Sequence, residues 1–237
     1  MPGFLAKWQT GDTHLRAPLQ IRQYEEIADR VAAERHERVL DWGCGYGQIT
    51  ALLAARGVNV VSYEWREDAP PTSAEVRMDA YPEFTVSVSS DPVKLPYPDD
   101  AFDAALSVGV LEHVQDPDGS LAELARVLKP GGRLYVFNLP NRTSWTERLA
   151  RRIGAYYHGQ LPFDQVYTQR SARERLQRHG YTVTDERMTG MLPQSVPVPI
   201  PPRAVGPLWR LNQLLARIPG LNRIATAVEL TGHRPAR

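Results

Sequence analysis

Val39-Leu40-Asp41-Trp42-Gly43-Cys44-Gly45-Tyr46-Gly47 is the stretch on which the reading of this chain turns. A short β-type run, Arg38 to Asp41, stops in a loop with glycine at every second position, and a helical pattern from Gln48 to Arg56 follows. Glycines in such a loop let the backbone turn sharply and let a ligand approach where a Cβ would clash. The next apolar run, Asn59-Val60-Val61-Ser62-Tyr63, delivers Glu64, about 20 residues on, where an acid can take both hydroxyls of a ribose. Together these read as a nucleoside-binding βαβ unit. A dinucleotide fingerprint, G-x-G-x-x-G, requires glycine at position 48, and Gln48 stands there instead. The pattern is D-x-G-x-G-x-G, which disfavours a pyrophosphate cradle.

Outward from that loop, strands alternate with helices. A helical spacing of Leu19, Ile21, Tyr24, Ile27, Ala28 and Val31 predicts a helix from Pro18 to about Glu34. Strands are expected at Arg38–Asp41, Asn59–Glu64, Thr85–Ser89, Ala104–Val110 and Arg133–Asn138, with a short irregular crossover after the second and a helix over Pro117–Leu128. Such βα alternation gives a parallel sheet wrapped by helices. Lys129-Pro130-Gly131-Gly132 reads as a helix stop followed by a strand start. Residues 140–167 are rich in aromatics and turn formers and read as irregular. A helix near Ser171–His179 and a strand over Tyr181–Arg187 come next. Met191–Pro207 is dense in proline and suits neither a helix interior nor a central strand. An amphipathic helix, Leu208–Ile218, with Leu208, Leu211, Leu215 and Ile218 on one face, and a β-like run, Ala225–Thr231, close the chain.

The gross numbers set bounds. The 237 residues, 42% hydrophobic and 23% charged, suit one sizeable α/β domain over 1–237 with room for an insertion. A net charge of +1 gives no general drive toward nucleic acid or an acidic membrane. The one cysteine, Cys44, fits a reducing compartment. No apolar run approaches the ~20 residues of a membrane span, and Met1 to Gln20 lacks a signal-peptide core. A cytoplasmic protein is expected.

Four later blocks carry a resemblance. They are Asp91-Pro92-Val93-Lys94-Leu95-Pro96-Tyr97-Pro98-Asp99-Asp100-Ala101-Phe102-Asp103, the run Ala104 to Val110, Leu111-Glu112-His113-Val114, and Leu121 through Gly132. With the glycine loop, and in this order and spacing, the chain resembles the class I S-adenosylmethionine (SAM) dependent methyltransferases, particularly the ubiquinone/menaquinone-biosynthesis type. The resemblance is close over residues 36–140 and looser to about 187. It implies a three-layer Rossmann-like α/β sandwich with a mostly parallel seven-stranded sheet whose last strand is antiparallel. Here an insertion precedes that strand. The implied layout is an N-terminal helical flap (1–35), a SAM-binding core (36–140) and an acceptor-side half (141–237) with the insertion at 188–224.

The resemblance also implies roles. The backbone at Gly43, Gly45 and Gly47 would face the methionine part of SAM, and Asp41 would orient that loop or the ammonium. Glu64 would hold the ribose hydroxyls, and Trp65 would lie against the adenine or pack in the core. Asp91 would accept from the adenine amino group, although Pro92 has no N–H for the ring contact common in the family. Gly109 would leave space for SAM where the sheet meets it. A related metal-dependent group has a Glu three positions before the Glu-His pair; Gly109 stands there, so no metal is expected. SAM's sulfonium drives the transfer and the protein holds and orients. A base is needed only for an unactivated hydroxyl acceptor. The candidates are His158 first, then His14 on an N-terminal flap, then His113. A small or lipid-like acceptor is expected, methylated at oxygen or carbon, by a monomer or homodimer without nucleic acid or an integral membrane segment. The insertion helix is read as packed on the domain or a partner subunit, or as a lid or an interfacial helix making peripheral membrane contact. A SAM-binding module without transfer, a nucleic-acid methyltransferase and an aminopropyl transferase are the alternatives.

Overall fold

The computed structural model describes residues 17–155, 158–160, 162–195 and 199–236. Its centre is β1 (Val39–Trp42), four residues buried throughout, pairing in parallel with β2 (Val60–Trp65) on one side and β5 (Phe102–Val108) on the other. A strand covered on both faces needs apolar side chains in both directions, which Val39, Leu40 and Trp42 supply. Leu40 and Trp42 join the core cluster that includes Leu121 and Leu124 of α3 (Pro117–Val127) and Leu176 of α5 (Gln169–Arg178). Val39 joins the opposite cluster, with Ile27 and Val31 of α1 (Pro18–Ala33) and Leu53 of α2 (Gln48–Ala54). Helices therefore cover both faces of the sheet, giving the expected three layers.

The remaining strands are β3 (Ala74–Arg77), β4 (Thr85–Ser89), β6 (Leu128–Pro140), β7 (Thr182–Thr189) and β8 (Ala227–His233), in the order β3-β4-β2-β1-β5-β6-β8-β7. β8 runs antiparallel between β6 and β7, as expected of the last strand. The sheet has eight strands, one more than the sequence reading. The additional one is β3, antiparallel to β4 at the edge, in what read as an irregular crossover. Its four residues alternate between half-buried and exposed, too short a pattern to register. The strand order reverses between β1 and β5, which opens a crevice beyond their carboxyl ends.

Three further expectations change. Lys129–Gly132 is not a strand start: β6 begins at Leu128, opposite Phe102, and the register then shifts so that Arg133 faces Ala104. The stretch 140–167 contains α4 (Trp145–Arg152), capped by the Ser144 hydroxyl and burying none of its residues. Its eight residues, WTERLARR, offer only Trp145, Leu149 and Ala150 as apolar positions, too few for a sequence window to mark a helix. The insertion helix α6 spans Pro202–Arg217 rather than starting at Leu208. Pro202 sits in its first turn, where no N–H is needed, while Pro207 is tolerated inside it.

α6 packs on the domain through Trp209, Asn212 and Ala216, while Leu211, Leu214 and Ile218 face outward. The Leu208–Ile218 face is divided: Leu208 and Leu215 are half-buried, Leu215 against the Met191, Ala216 and Ala225 cluster, while Leu211 and Ile218 are exposed. The Trp209 indole donates to Glu26 of α1 at 2.6 Å. Asn212 Oδ1 accepts from the backbone N–H of Met191 (2.5 Å) and Leu192 (2.7 Å), tying α6 to the chain leaving β7. Asn212→Ala strands both donors and is expected to destabilise the protein by about 2–3 kcal/mol, read as a lowered urea midpoint. Among the described residues no helix is long and apolar enough to cross a membrane.

Candidate functional site

The loop after β1 is held from three directions. The N–H groups of Gly43 and Cys44 both donate to the Tyr63 carbonyl of β2, at 2.9 and 3.0 Å. Gly45 N–H donates to Glu64 Oε2 at 2.6 Å. Asp41 accepts from the Thr50 hydroxyl of α2 at 2.7 Å, and that hydroxyl lies 2.8 Å from Ser62 Oγ. Glycine is required at position 43. Its φ is +74°, and a Cβ would come within 2.5 and 2.6 Å of the two methyls of Val110. The glycine loop and the turn after β5 therefore interlock.

Burial pushes the Asp41 carboxyl up to about 6; the Thr50 hydrogen bond pulls the other way and the Glu64 charge adds to the rise. A raised carboxyl favours the folded state below its unfolded pKa and loses that contribution as pH climbs through the folded value. Between pH 4 and pH 7 the ligand-free protein is expected to lose on the order of 2–3 kcal/mol at this group. Asp41→Asn abolishes that part of the slope, measured by urea unfolding at both pH values. Burial also raises Glu64, against the pull of its backbone hydrogen bonds from Gly45 and Trp65.

Trp65 follows Glu64 at the end of β2. It is 43% exposed, so it is not a core tryptophan, and its indole N–H donates to the Ser90 carbonyl at 3.1 Å. Asp91, next along the chain, turns Oδ1 onto the N–H groups of Val93 (2.9 Å) and Lys94 (2.7 Å). Those two backbone bonds hold its carboxyl below the usual range. Trp65 and Asp91 thus flank one corner of the crevice, beside Glu64.

Across the crevice, Gly109 (φ +69°) follows β5, and among the described residues a Cβ there would meet only Glu112 Oε1, at 3.6 Å. The turn beyond it presents Glu112 and His113. The Glu112 carboxylate is buried, its Oε2 has no hydrogen-bond partner among the described residues, and burial pushes its carboxyl up to about 7. Glu112 Oε1 lies 4.0 Å from His113 Nε2. His113 Nδ1 is paired with Asp164 at 2.7 Å. His158 stacks on His113, with ring centroids 5.6 Å apart, and its Nδ1 is paired with Glu147 of α4 at 2.9 Å. Burial alone would lower His158; the Glu147 hydrogen bond and charge, with Glu112 and Asp164, carry it above its ordinary value.

The structure thus brings His158 and His113 together, although 45 residues separate them in sequence. His14 lies outside the described residues. The sequence reading missed Glu147, Asp164 and Tyr24. Tyr24, on α1, stands close enough to Asp41 and Glu112 that burial, aided by both charges, pushes its phenol up to about 12. For Tyr24 the signal was hidden by its place in a helical apolar stripe. For Glu147 there was none, because the helix that carries it was not legible.

Comparison with known proteins gives the following. Residues 40–136 match the family described as "Methyltransferase domain". The methyltransferase GfsG of Streptomyces halstedii is 32% identical over 124 residues, covering 50% of this chain and 43% of that protein. A demethylmenaquinone methyltransferase of Thermus thermophilus is 32% identical over 147 residues, covering 60% of this chain and 64% of that protein. Among solved structures, a Burkholderia thailandensis 1,6-didemethyltoxoflavin-N1-methyltransferase, crystallised with 1,6-didemethyltoxoflavin and S-adenosylhomocysteine, superposes with a TM-score of 0.56. It is 18% identical and the match covers 91% of this chain and 78% of that one; this likeness shows the fold. The chain spans about half the length of the curated relatives it matches first.

Proposed function

We propose that this chain, whose residues 40–136 match the methyltransferase-domain family, is a class I SAM-dependent methyltransferase of the ubiquinone/menaquinone type that transfers a methyl group to an oxygen or carbon of a small or lipid-like acceptor. The observation that carries the reading is the facing of two sets of groups across Gly109. On one side stand the glycine loop and Glu64, locked by the Gly45 N–H. On the other stands the Glu112, His113 and His158 cluster.

In this reading SAM brings the activated methyl, and the chain's residues hold both partners. Asp41, through Thr50, fixes the loop that Gly43, Gly45 and Gly47 turn toward the amino-acid part of SAM. Glu64 takes the ribose, Trp65 and Asp91 the adenine, and Gly109 leaves room for the methyl end. His158, which Glu147 orients and whose basicity it raises, meets the acceptor's heteroatom and takes its proton where one must leave. His113, held by Asp164, sets the ring on which His158 stacks. His14 remains a candidate on the N-terminal flap.

The surroundings favour an amphiphilic acceptor with an anionic or polar head. Residues 141–224 hold thirteen arginines and five acidic side chains, in a chain whose net charge is only +1. Leu149, Ile153, Leu211, Leu214 and Ile218 are exposed in the same half. Named relatives that act on demethylmenaquinone support a lipid-like acceptor. A monomer or homodimer, with peripheral membrane contact through α4 and α6, fits this surface. The same arginines favour nucleic acid as the second reading.

Incubation with methyl-labelled SAM and an extract of the source organism tests this. Label is expected in the organic phase, and His158→Gln is expected to cut its incorporation by about 100-fold while SAM binding stays within a few-fold. Label confined to nucleic acid would replace the acceptor class; no label in any fraction despite tight SAM binding would favour a module without transfer.

A further inference from the structure

The Glu112, His113 and His158 cluster has more than a base requires. One side-chain donor from each residue lies within 4.8 Å of the others. Both imidazoles are held at Nδ1 by carboxylates, His113 by Asp164 at 2.7 Å and His158 by Glu147 at 2.9 Å. That is the outer-shell arrangement that fixes a ligating histidine's tautomer, turns Nε2 toward a metal and raises its basicity. Both carboxylates carry a second tether: Asp164 accepts from the Gly159 N–H at 3.1 Å, and Glu147 from the His158 N–H at 2.9 Å. The third donor, Glu112, is 2% exposed at its side chain. Its Oε2 has no hydrogen-bond partner among the described residues, a costly state for a buried carboxylate unless a cation meets it. The Gln165 N–H, donating to the Glu112 carbonyl at 2.8 Å, clamps the loop that carries Asp164 against this turn.

We propose that Glu112, His113 and His158 together bind a divalent transition-metal ion on the acceptor side of the crevice. The expectation of no metal followed from Gly109 standing where a carboxylate would be needed. His158, arriving from beyond α4, supplies a donor that this spacing argument did not consider. Two imidazoles and one carboxylate suit Zn²⁺, Co²⁺, Fe²⁺ or Ni²⁺ rather than Mg²⁺ or Ca²⁺, which prefer oxygen throughout. The donors lie somewhat further apart than ligands around an ion, so binding draws them inward. His113, whose side chain is 37% exposed, leaves the ion's other positions facing solvent, where an acceptor hydroxyl or enol oxygen can enter. A bound ion lowers the pKa of such an oxygen. The inference rests on the transferase reading for the use of the ion, not for its binding. With the ion present, the imidazole lone pairs are ligands, and His158 acts as a free base only in the metal-free protein.

The test is titration of the full chain, stripped with chelator and dialysed, with Co²⁺ followed by visible absorption and with Zn²⁺ followed by calorimetry. The expected result is one ion per chain at micromolar affinity or tighter. His113→Ala and His158→Ala are each expected to weaken binding at least ~100-fold, and Glu147→Gln, which keeps all three ligands, about 10-fold. Circular dichroism checks that each variant folds. Should the alanine variants not fold, the Glu147→Gln shift decides alone. No saturable 1:1 binding, or binding that none of these substitutions weakens, overturns the proposal. Calorimetry with S-adenosylhomocysteine on the same metal-free sample separates the two readings. Nucleoside binding without metal binding removes the ion and leaves the transferase, whereas metal binding without nucleoside binding does the reverse.

Discussion

Glu64→Ala is expected to weaken S-adenosylhomocysteine binding by about 10- to 100-fold, measured by calorimetry at constant salt and pH. Two effects combine. The substitution removes the carboxylate proposed to hold the ribose hydroxyls, and charge-assisted hydrogen bonds contribute about 1.5–3 kcal/mol. It also frees the Gly45 N–H, which now donates to Glu64 Oε2 at 2.6 Å, so the loop loses the contact that positions it before ligand arrives. Glu64→Gln separates the contributions. It keeps an oxygen for Gly45 and is expected to recover part of the affinity. Unchanged binding in Glu64→Ala would remove Glu64 from the donor site and with it the assignment of the crevice.

Gly43→Ala is expected to lower the stability of the ligand-free protein by about 3 kcal/mol, which for a chain of this size is roughly 6–12 °C in Tm. The left-handed backbone costs an alanine about 1–2 kcal/mol. The remainder comes from the Cβ, which would sit 2.5 Å from a Val110 methyl. Valine has few rotamers with which to yield. Gly45→Ala is the control: its φ is also positive, at +53°, but none of the described residues lies within 4 Å of the added carbon, so the expected loss is about 1–2 kcal/mol. Equal losses at the two positions would show that the interlock with Val110 carries no strain. Gly43→Ala is further expected to disturb the Glu112–His113 turn, visible as changed His113 resonances in NMR.

What was legible in the sequence was local. The β1–loop–α2 unit, Glu64 at the end of β2 and the buried strand at β5 each show their character within a few residues, through β-branched runs, glycine spacing or helical periodicity. β3 and α4 were not legible, because each covers one face sparsely and buries little. The site divides the same way. Glu64 and the glycines were singled out from spacing and Asp41 through the family resemblance, while the groups that hold them, Thr50 for Asp41 and Gly45 for Glu64, required the fold. His113 and His158 could be named singly, but nothing in the order of residues says that two imidazoles 45 positions apart stack. Their carboxylates, Asp164 and Glu147, lie in the stretch that read as irregular. The leucine stripe of α6 was legible, but Trp209 and Asn212, whose hydrogen bonds anchor the helix, were not.

α4 has one consequence for the order in which the crevice assembles. This helix buries none of its residues and is moored by the Trp145 indole on the Met191 carbonyl at 2.8 Å, yet its Glu147 holds both the ring and the backbone N–H of His158. Segments with little buried surface open at a small fraction of the global unfolding free energy. The proposed donor site, hung on β1, which is buried throughout, and on its neighbour β2, is therefore expected to persist through excursions that dismantle the proposed acceptor side. Amide exchange should be slow at Trp42 and Tyr63 and fast along α4. With the roles proposed for Glu64 and His158, a nucleoside would be captured before that histidine is in place.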